Sequence, residues 1–194
     1  MPRKTVAAAA LLCAVTVGST ALIDNKVALA QQPKVDALTL TVPGFPEAAL
    51  LKVQNASNDP GCGGENVSPP VQWSHAPAET KSFAVTIIDP DGQKGFASVH
   101  WVAYGISPAI SALPERAGTS SSKDFVTGAN SNGKAVYRGP CPPVGDQPHH
   151  YVISVYALDL APGALESGLD RDKFLAAIKR HSLNETSVVL RYNR

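Results

Sequence analysis

Apolar and polar residues alternate over Leu38-Thr39-Leu40-Thr41-Val42, the two-residue period of a strand with one buried face. Ser82–Ile88 (SFAVTII) is almost entirely β-branched, aromatic or small, and Asp89-Pro90-Asp91-Gly92 closes it with turn residues. Val99–Ile106 (VHWVAYGI) predicts the next strand, with Trp101 and, earlier, Trp73 read as core residues. Tyr151–Leu158 (YVISVYAL) predicts the clearest one, with apolar residues on both faces. Val71–Trp73 and Val188–Tyr192 predict shorter strands, and Gly61–Pro70 reads as a turn-rich loop. Gly118–Lys134 is polar and rich in Gly and Ser, which predicts a long surface loop. A single helix is predicted over Arg171–Arg180. Asp170 caps its first turn, Leu169 and Phe174 occupy the staple positions, and Phe174, Leu175 and Ile178 share one face. Lys179, Arg180 and His181 sit where the helix dipole is negative. Many short strands and one late helix predict a mainly β fold, and no repeat or linker divides it.

The first thirty residues have another pattern. Arg3 and Lys4 precede an uncharged, Ala-rich run from Thr5 to Gly18, and Ala28-Leu29-Ala30 puts small residues where a signal peptidase reads them. The expectation is a signal peptide over 1–30, cut before Gln31, and a single domain over 31–194; Ser19-Thr20-Ala21 offers a second cut. The uncharged run to Ile23 is just long enough to span a bilayer, but its Ala, Thr, Ser and Gly content makes a weak anchor. Leu12 sits where lipid attachment at Cys13 would need a small residue. Removing residues 1–30 takes Arg3, Lys4, Lys26 and Asp24 from totals of 17 basic and 16 acidic residues, leaving 14 against 15. Without a basic cluster, nucleic-acid binding is not expected. Cys62 and Cys141 remain, an even pair that an oxidising compartment favours as a disulfide; two separate buried thiols are the other reading.

The unusual residues fall at strand ends. Asp89 and Asp91 follow one strand, His100 lies within the next, Gly139-Pro140-Cys141-Pro142-Pro143 forms a stiff loop, and His149, His150 and Tyr151 enter a third. Antiparallel neighbours would gather these ends into one cleft. Imidazole N–H, phenol O–H and loop backbone N–H groups are donors, and convergent donors suit an anion with several acceptor oxygens. The carboxylates would hold the histidines charged, or meet an ammonium group. Each residue also has a structural reading: turn chemistry for Asp89 to Gly92, a satisfied core histidine for His100, solvated rings for His149 and His150, and loop stiffening for the prolines. Asn66-Val67-Ser68 and Asn184-Glu185-Thr186 match the glycosylation triplet, the first weakened by Pro69.

Taken together, these segments resemble the phosphatidylethanolamine-binding protein family, in its bacterial Raf-kinase-inhibitor-like branch. Four stretches match in order: Asn66-Val67-Ser68-Pro69-Pro70 with Trp73, Phe83–Asp91 (FAVTIIDPD), His100-Trp101-Val102, and Gly139–Tyr151 followed by Val155-Tyr156-Ala157-Leu158-Asp159. The resemblance covers residues 36–192. It implies a large antiparallel sheet packed on a smaller sheet with few peripheral helices. It also implies a small pocket for phosphate or phosphorylated head groups, made by Asp89, Asp91, His100, Gly139, Pro140, Pro142, Pro143, His149 and Tyr151. The sequence departs from the family pattern where Gly92 and Gln93 replace the Ala-Pro that usually follows Asp-Pro-Asp, leaving that rim differently shaped or more mobile. His150 stands in place of a frequent arginine, and its ring would pair with a carboxylate only at lower pH.

The expected function is an exported, periplasmic or secreted, non-enzymatic binding protein for a small phosphorylated or anionic ligand, able to modulate a partner protein. His100, His149 and Tyr151 would donate to the ligand. No cofactor or metal is expected, nor stable membrane insertion after signal cleavage. Two alternatives stay open: a protease or kinase inhibitor acting through the Gly118–Lys134 loop, and a metal-dependent or phosphoester enzyme using the His/Asp cleft. For catalysis there is neither a Gly-x-Ser-x-Gly elbow nor a His-Glu-x-x-His motif.

Overall fold

The computed structural model describes residues 37–194; the predicted signal peptide lies outside them. Among the described residues, eight strands form two antiparallel sheets. The smaller sheet joins β1 (Thr39–Thr41), β2 (Val71–Ser74) and β5 (Ala112–Leu113) in the order β1-β2-β5. The larger joins β3 (Ser82–Asp89), β4 (Ser98–Ile106), β6 (Val126–Thr127), β7 (His149–Leu158) and β8 (Ser182–Tyr192) in the order β6-β4-β3-β7-β8. One helix of more than a single turn, α1 (Arg171–Ile178), is present among the described residues.

The central strands are buried on both faces, which is why their sequences lack polar alternation. Phe83, Val85 and Ile87 of β3 join Trp101, Ile153 and Val155 in a core shared with Leu40, Val71 and Trp73 of the smaller sheet. Trp73 packs on Phe83 with ring centroids 5.2 Å apart. On the other face, Ala84, Val102, Tyr104 and Leu158 meet Phe174 and Ile178 of α1. Tyr104 and Tyr156 both contact the Phe174 ring, at 5.7 and 5.9 Å. Asp170 accepts from the Lys173 backbone N–H at 2.9 Å, the cap predicted from sequence, and Leu169 packs in the same cluster as Phe174.

The structure corrects three boundaries. The strand predicted at Val188–Tyr192 begins at Ser182 and pairs with β7 along its whole length. Its first half, Ser182–Ser187, is an exposed sheet edge and polar but for Leu183, so it carries no apolar alternation. The segment 118–134 is not a free surface loop. Val126 and Thr127 form β6 on the edge of β4, Phe125 is buried, and the Asn130 side chain holds the backbone N–H groups of Asn132 and Lys134. The helix stops at Ile178, leaving Lys179 as its C-cap and Arg180 and His181 beyond it. Of the two glycosylation triplets, the Asn66 amide is spent inside the fold, donating to the Tyr137 carbonyl and accepting from the Gly139 N–H, both at 2.7 Å.

Cys62 and Cys141 form a disulfide with Cα atoms 5.4 Å apart. It ties the turn-rich loop before β2 to the Pro-rich loop before β7, across 79 residues of chain. The chain-entropy account assigns a closure of that length about 4 kcal/mol. Replacing both cysteines with serine is therefore expected to lower the unfolding free energy by up to about 4 kcal/mol in urea titrations at pH 7. A loss under about 1 kcal/mol would show that the bridge does not constrain the unfolded chain in this way.

Candidate functional site

The topology brings one end of β3 beside the starts of its two neighbours. Asp89 is the last residue of β3, opposite Ser98 at the start of β4, and Ile88 pairs with Val152 near the start of β7. Odd-numbered residues of β3 and β7 face the main core, so Asp89 and His149 continue that face to the sheet's edge. His100 reaches the same place by a different route. Ile87 pairs with Trp101 but Ile88 pairs with Val99, so His100 is the extra residue of a β-bulge. In strict alternation it would share the face of Val102 and Tyr104. The bulge instead turns it toward Tyr151, whose ring it meets edge-on at 5.1 Å.

Asp89 is the hub, with only 3% of its surface exposed. Its Oδ1 accepts from the backbone N–H groups of Asp91 (2.9 Å) and Gly92 (3.0 Å), an Asx-type turn. Its Oδ2 accepts from His149 Nδ1 at 2.8 Å and lies 4.0 Å from His100 Nε2. Gly92 has no room for a side chain: a Cβ there would sit 2.4 Å from Ser98 Oγ. The chain then turns left-handed, with φ of +51° at Gln93 and +60° at Lys94. Proline, fixed near −65°, cannot occupy position 93 in this turn, so the departure from Asp-Pro-Asp-Ala-Pro gives this rim its own shape. The second carboxylate ties down β7. Asp91 Oδ2 accepts from the His150 backbone N–H (2.8 Å) and from its ring Nδ1 (2.9 Å). These bonds, backbone first, hold the Asp91 carboxyl below the ordinary carboxylate range.

A small cleft of about 90 Å³ opens over this cluster. Asp89, His100, His149, Pro142 and Pro143 line it, with Gly92 and Gln93 of the rim and Cys141 of the Pro-rich loop; Ser98 and Arg138, which the sequence reading did not single out, complete the lining. Arg138 is fixed by Asp59, which its Nη2 reaches at 3.2 Å. Nothing local marks Arg138, a lone cation in an irregular segment, or Ser98, a common residue at a strand start; both are found only through the topology. Asp91 stands behind the turn, outside the lining. Gly139 and Pro140 are packing residues: a Cβ on Gly139 would lie 2.3 Å from the Asn55 carbonyl oxygen, and the Pro140 carbonyl accepts from Ser57 N–H at 2.9 Å. Tyr151 stands behind His100 in the core, with its hydroxyl buried and unpartnered, so it does not line the cleft. Burial, reinforced by Asp89, raises its phenol pKa and keeps it neutral.

The two histidines differ in charge and role. Burial alone would lower the His149 pKa, but the bond to Asp89, the charges of Asp89 and Asp91, and the contact with Asp146 outweigh it, so the net shift is upward. His100 is buried, and that burial takes its pKa down to about 4 despite the bond to the Arg138 carbonyl and the nearby Asp89. Its Nδ1 lies 2.6 Å from that carbonyl, which can only accept, so Nδ1 carries the hydrogen and Nε2 is a bare acceptor. His100 therefore cannot donate to a ligand in the way the sequence suggested. Asp89, Asp91 and His149 each offer a ligating atom within 4.8 Å of the others. Holding a cation there would compete with the bonds to His149 and His150 just described.

The chain matches the family model described as Phosphatidylethanolamine-binding protein over residues 43–193. It is 38% identical over 135 residues to a UPF0098 protein of Methanothermobacter thermautotrophicus, covering 69% of this chain and 87% of that protein. It is 45% identical over 102 residues to the UPF0098 protein YbcL of Escherichia coli, covering 50% of this chain and 56% of that one. A Mycobacterium tuberculosis protein with a lipoprotein name, LppC, is 38% identical over 142 residues, 68% of this chain and 63% of its own. The chain thus spans little more than half the length of YbcL. The crystal structure of E. coli YbcL, titled a new member of the mammalian PEBP family, superposes with a TM-score of 0.75 at 31% identity, covering 81% of this chain and 98% of that one. A phosphatidylethanolamine-binding protein homologue from Chlamydia trachomatis gives 0.69 at 28%, with the same coverage.

Opposite shifts at two histidines give a defined pH response. The neutral, buried His100 ring favours folding above about 6.5, and that contribution is lost as pH falls toward about 4, because the unfolded chain takes up the proton first. The loss is on the order of 3 kcal/mol. The His149–Asp89 pairing acts the other way: its contribution is full below 6.5 and is lost as pH rises through the elevated His149 pKa. Histidine ring NMR should show His149 titrating above 6.5 and His100 unprotonated down to about 4. Titration of His100 near 6.5 would contradict the cost assigned above to burying its charged form.

Proposed function

The chain belongs to the phosphatidylethanolamine-binding protein family, and on that premise we propose that it is an extracytoplasmic, non-enzymatic binding protein whose cleft takes a phosphate-bearing or similar anionic head group. The supporting observation is the mixture of fixed groups around about 90 Å³ of space. The His149 imidazole is oriented by Asp89 and favoured in its charged form, and Arg138, whose guanidinium is held by Asp59, lines the same cleft with Ser98 and Gln93, residue types that can donate to an anion. These groups are held before a ligand arrives, so little ordering cost remains to be met on binding. Pro142 and Pro143 give the cleft a stiff wall.

Val144, 78% exposed, follows directly on Pro143 of the lining loop and offers an apolar edge to the remainder of a ligand. Placement outside the cytoplasm is supported by the Cys62–Cys141 bridge, by the N-terminal pattern, and by the lipoprotein name of one relative. Among the described residues no helix is long and apolar enough to cross a membrane.

Titration of the protein with phosphorylethanolamine, followed by histidine ring NMR, tests this reading. Saturable shifts at His100 and His149 are expected, with binding weakened about ten- to a hundredfold in His149→Ala, the loss of one charged hydrogen bond. Saturable binding that leaves both rings unmoved would place the ligand elsewhere, and the proposal would fail.

A further inference from the structure

The donors around the cleft face a floor that can only accept. His100 is 3% exposed, its Nδ1–H is committed to the Arg138 carbonyl, and its Nε2 has no hydrogen-bond partner. The nearest polar atom with which it forms an ion-pair contact is Asp89 Oδ2 at 4.0 Å, another acceptor and beyond hydrogen-bond reach. Two lone-pair-bearing atoms thus sit side by side at the bottom of a site whose other walls carry His149, Arg138, Ser98 and Gln93. A buried acceptor left without a donor costs free energy, and the Oδ2 charge adds repulsion toward any fully ionised oxygen placed there.

Resting on the reading of the cleft as an anion site, we propose that it selects oxyanions that still carry a proton, inorganic phosphate and phosphomonoesters, over sulfate and phosphodiesters. The P–OH donates to His100 Nε2 at the floor, while the charged oxygens accept from His149 and Arg138 above. Inorganic phosphate keeps at least one P–OH at neutral pH. A phosphomonoester loses its last proton near pH 6, so a large fraction still holds it there. Sulfate and a phosphodiester have none to give. A site built around a hydrogen bond to a ligand hydroxyl discriminates strongly against an analogue lacking it, because the protein acceptor is then left unpaired.

Isothermal titration of the protein at pH 6.0 and constant ionic strength compares four probes: inorganic phosphate, sulfate, phosphorylethanolamine and its diester glycerophosphorylethanolamine. Phosphate is expected to bind at least about tenfold more tightly than sulfate, and the monoester at least about tenfold more tightly than the diester. The ¹⁵N resonance of His100 Nε2 should move on adding phosphate and stay in place on adding sulfate. Equal affinities within each pair would overturn the selection and leave the anion site standing. Failure of all four to bind, with ethanolamine alone binding or not, would overturn both readings.

Discussion

Burying a carboxylate costs several kcal/mol unless its oxygens are saturated with partners, and Asp89 meets that condition with three. Two are backbone N–H groups of the turn that follows it, and the third is the His149 ring at the start of β7. The demand therefore fixes more than one side chain. It sets the conformation of the turn from Pro90 to Gly92, where Ser98 leaves no room for a side chain, and binds the end of β3 to the start of β7 beyond their last ladder pairs. The cleft exists because these three chain ends converge on one acid. The Cys62–Cys141 bridge and the Asn66 amide then hold the Pro-rich loop against the same end of the sheet.

One carboxylate beside two imidazoles might be expected to charge both. Distance and burial separate them. At 2.8 Å, Asp89 overcomes the cost of partly burying His149; at 4.0 Å it does not overcome the cost of fully burying His100. The bond from His100 to the Arg138 carbonyl also settles which nitrogen holds the proton. On the proposed reading of the cleft, this sets donors beside an acceptor floor, a polarity across a few ångströms that a ligand would have to match.

The strands that carry the candidate site are legible in the sequence, and its chemistry is less so. β3, β4 and β7 announce themselves because both faces are buried and β-branched, and their ends carry Asp89, His100 and His149. The first half of β8 and all of β6 stay hidden because edge strands need no apolar alternation. The donor role expected of His100 fails for two non-local reasons. A bulge turns the ring from the face that alternation assigns, and a carbonyl 38 residues away sets its tautomer. Tyr151 illustrates the same limit: its position in a motif suggests a ligand contact, whereas its place on the core-facing side of β7 puts a phenol behind the histidine. Arg138 and Ser98 become visible only when the strands are assembled.

The histidine at position 150 shows how a substitution in a motif can be absorbed. An arginine at this point would contact a carboxylate through a permanent charge. Here Asp91 is held first by the backbone N–H of residue 150, a bond that any residue but proline supplies. The ring adds a second contact to the same oxygen. The link between the Asp-Pro-Asp turn and β7 is thus built into the main chain. Asp91, although outside the lining, keeps the turn docked so that the Gly92 N–H stays on Asp89, which in turn orients His149.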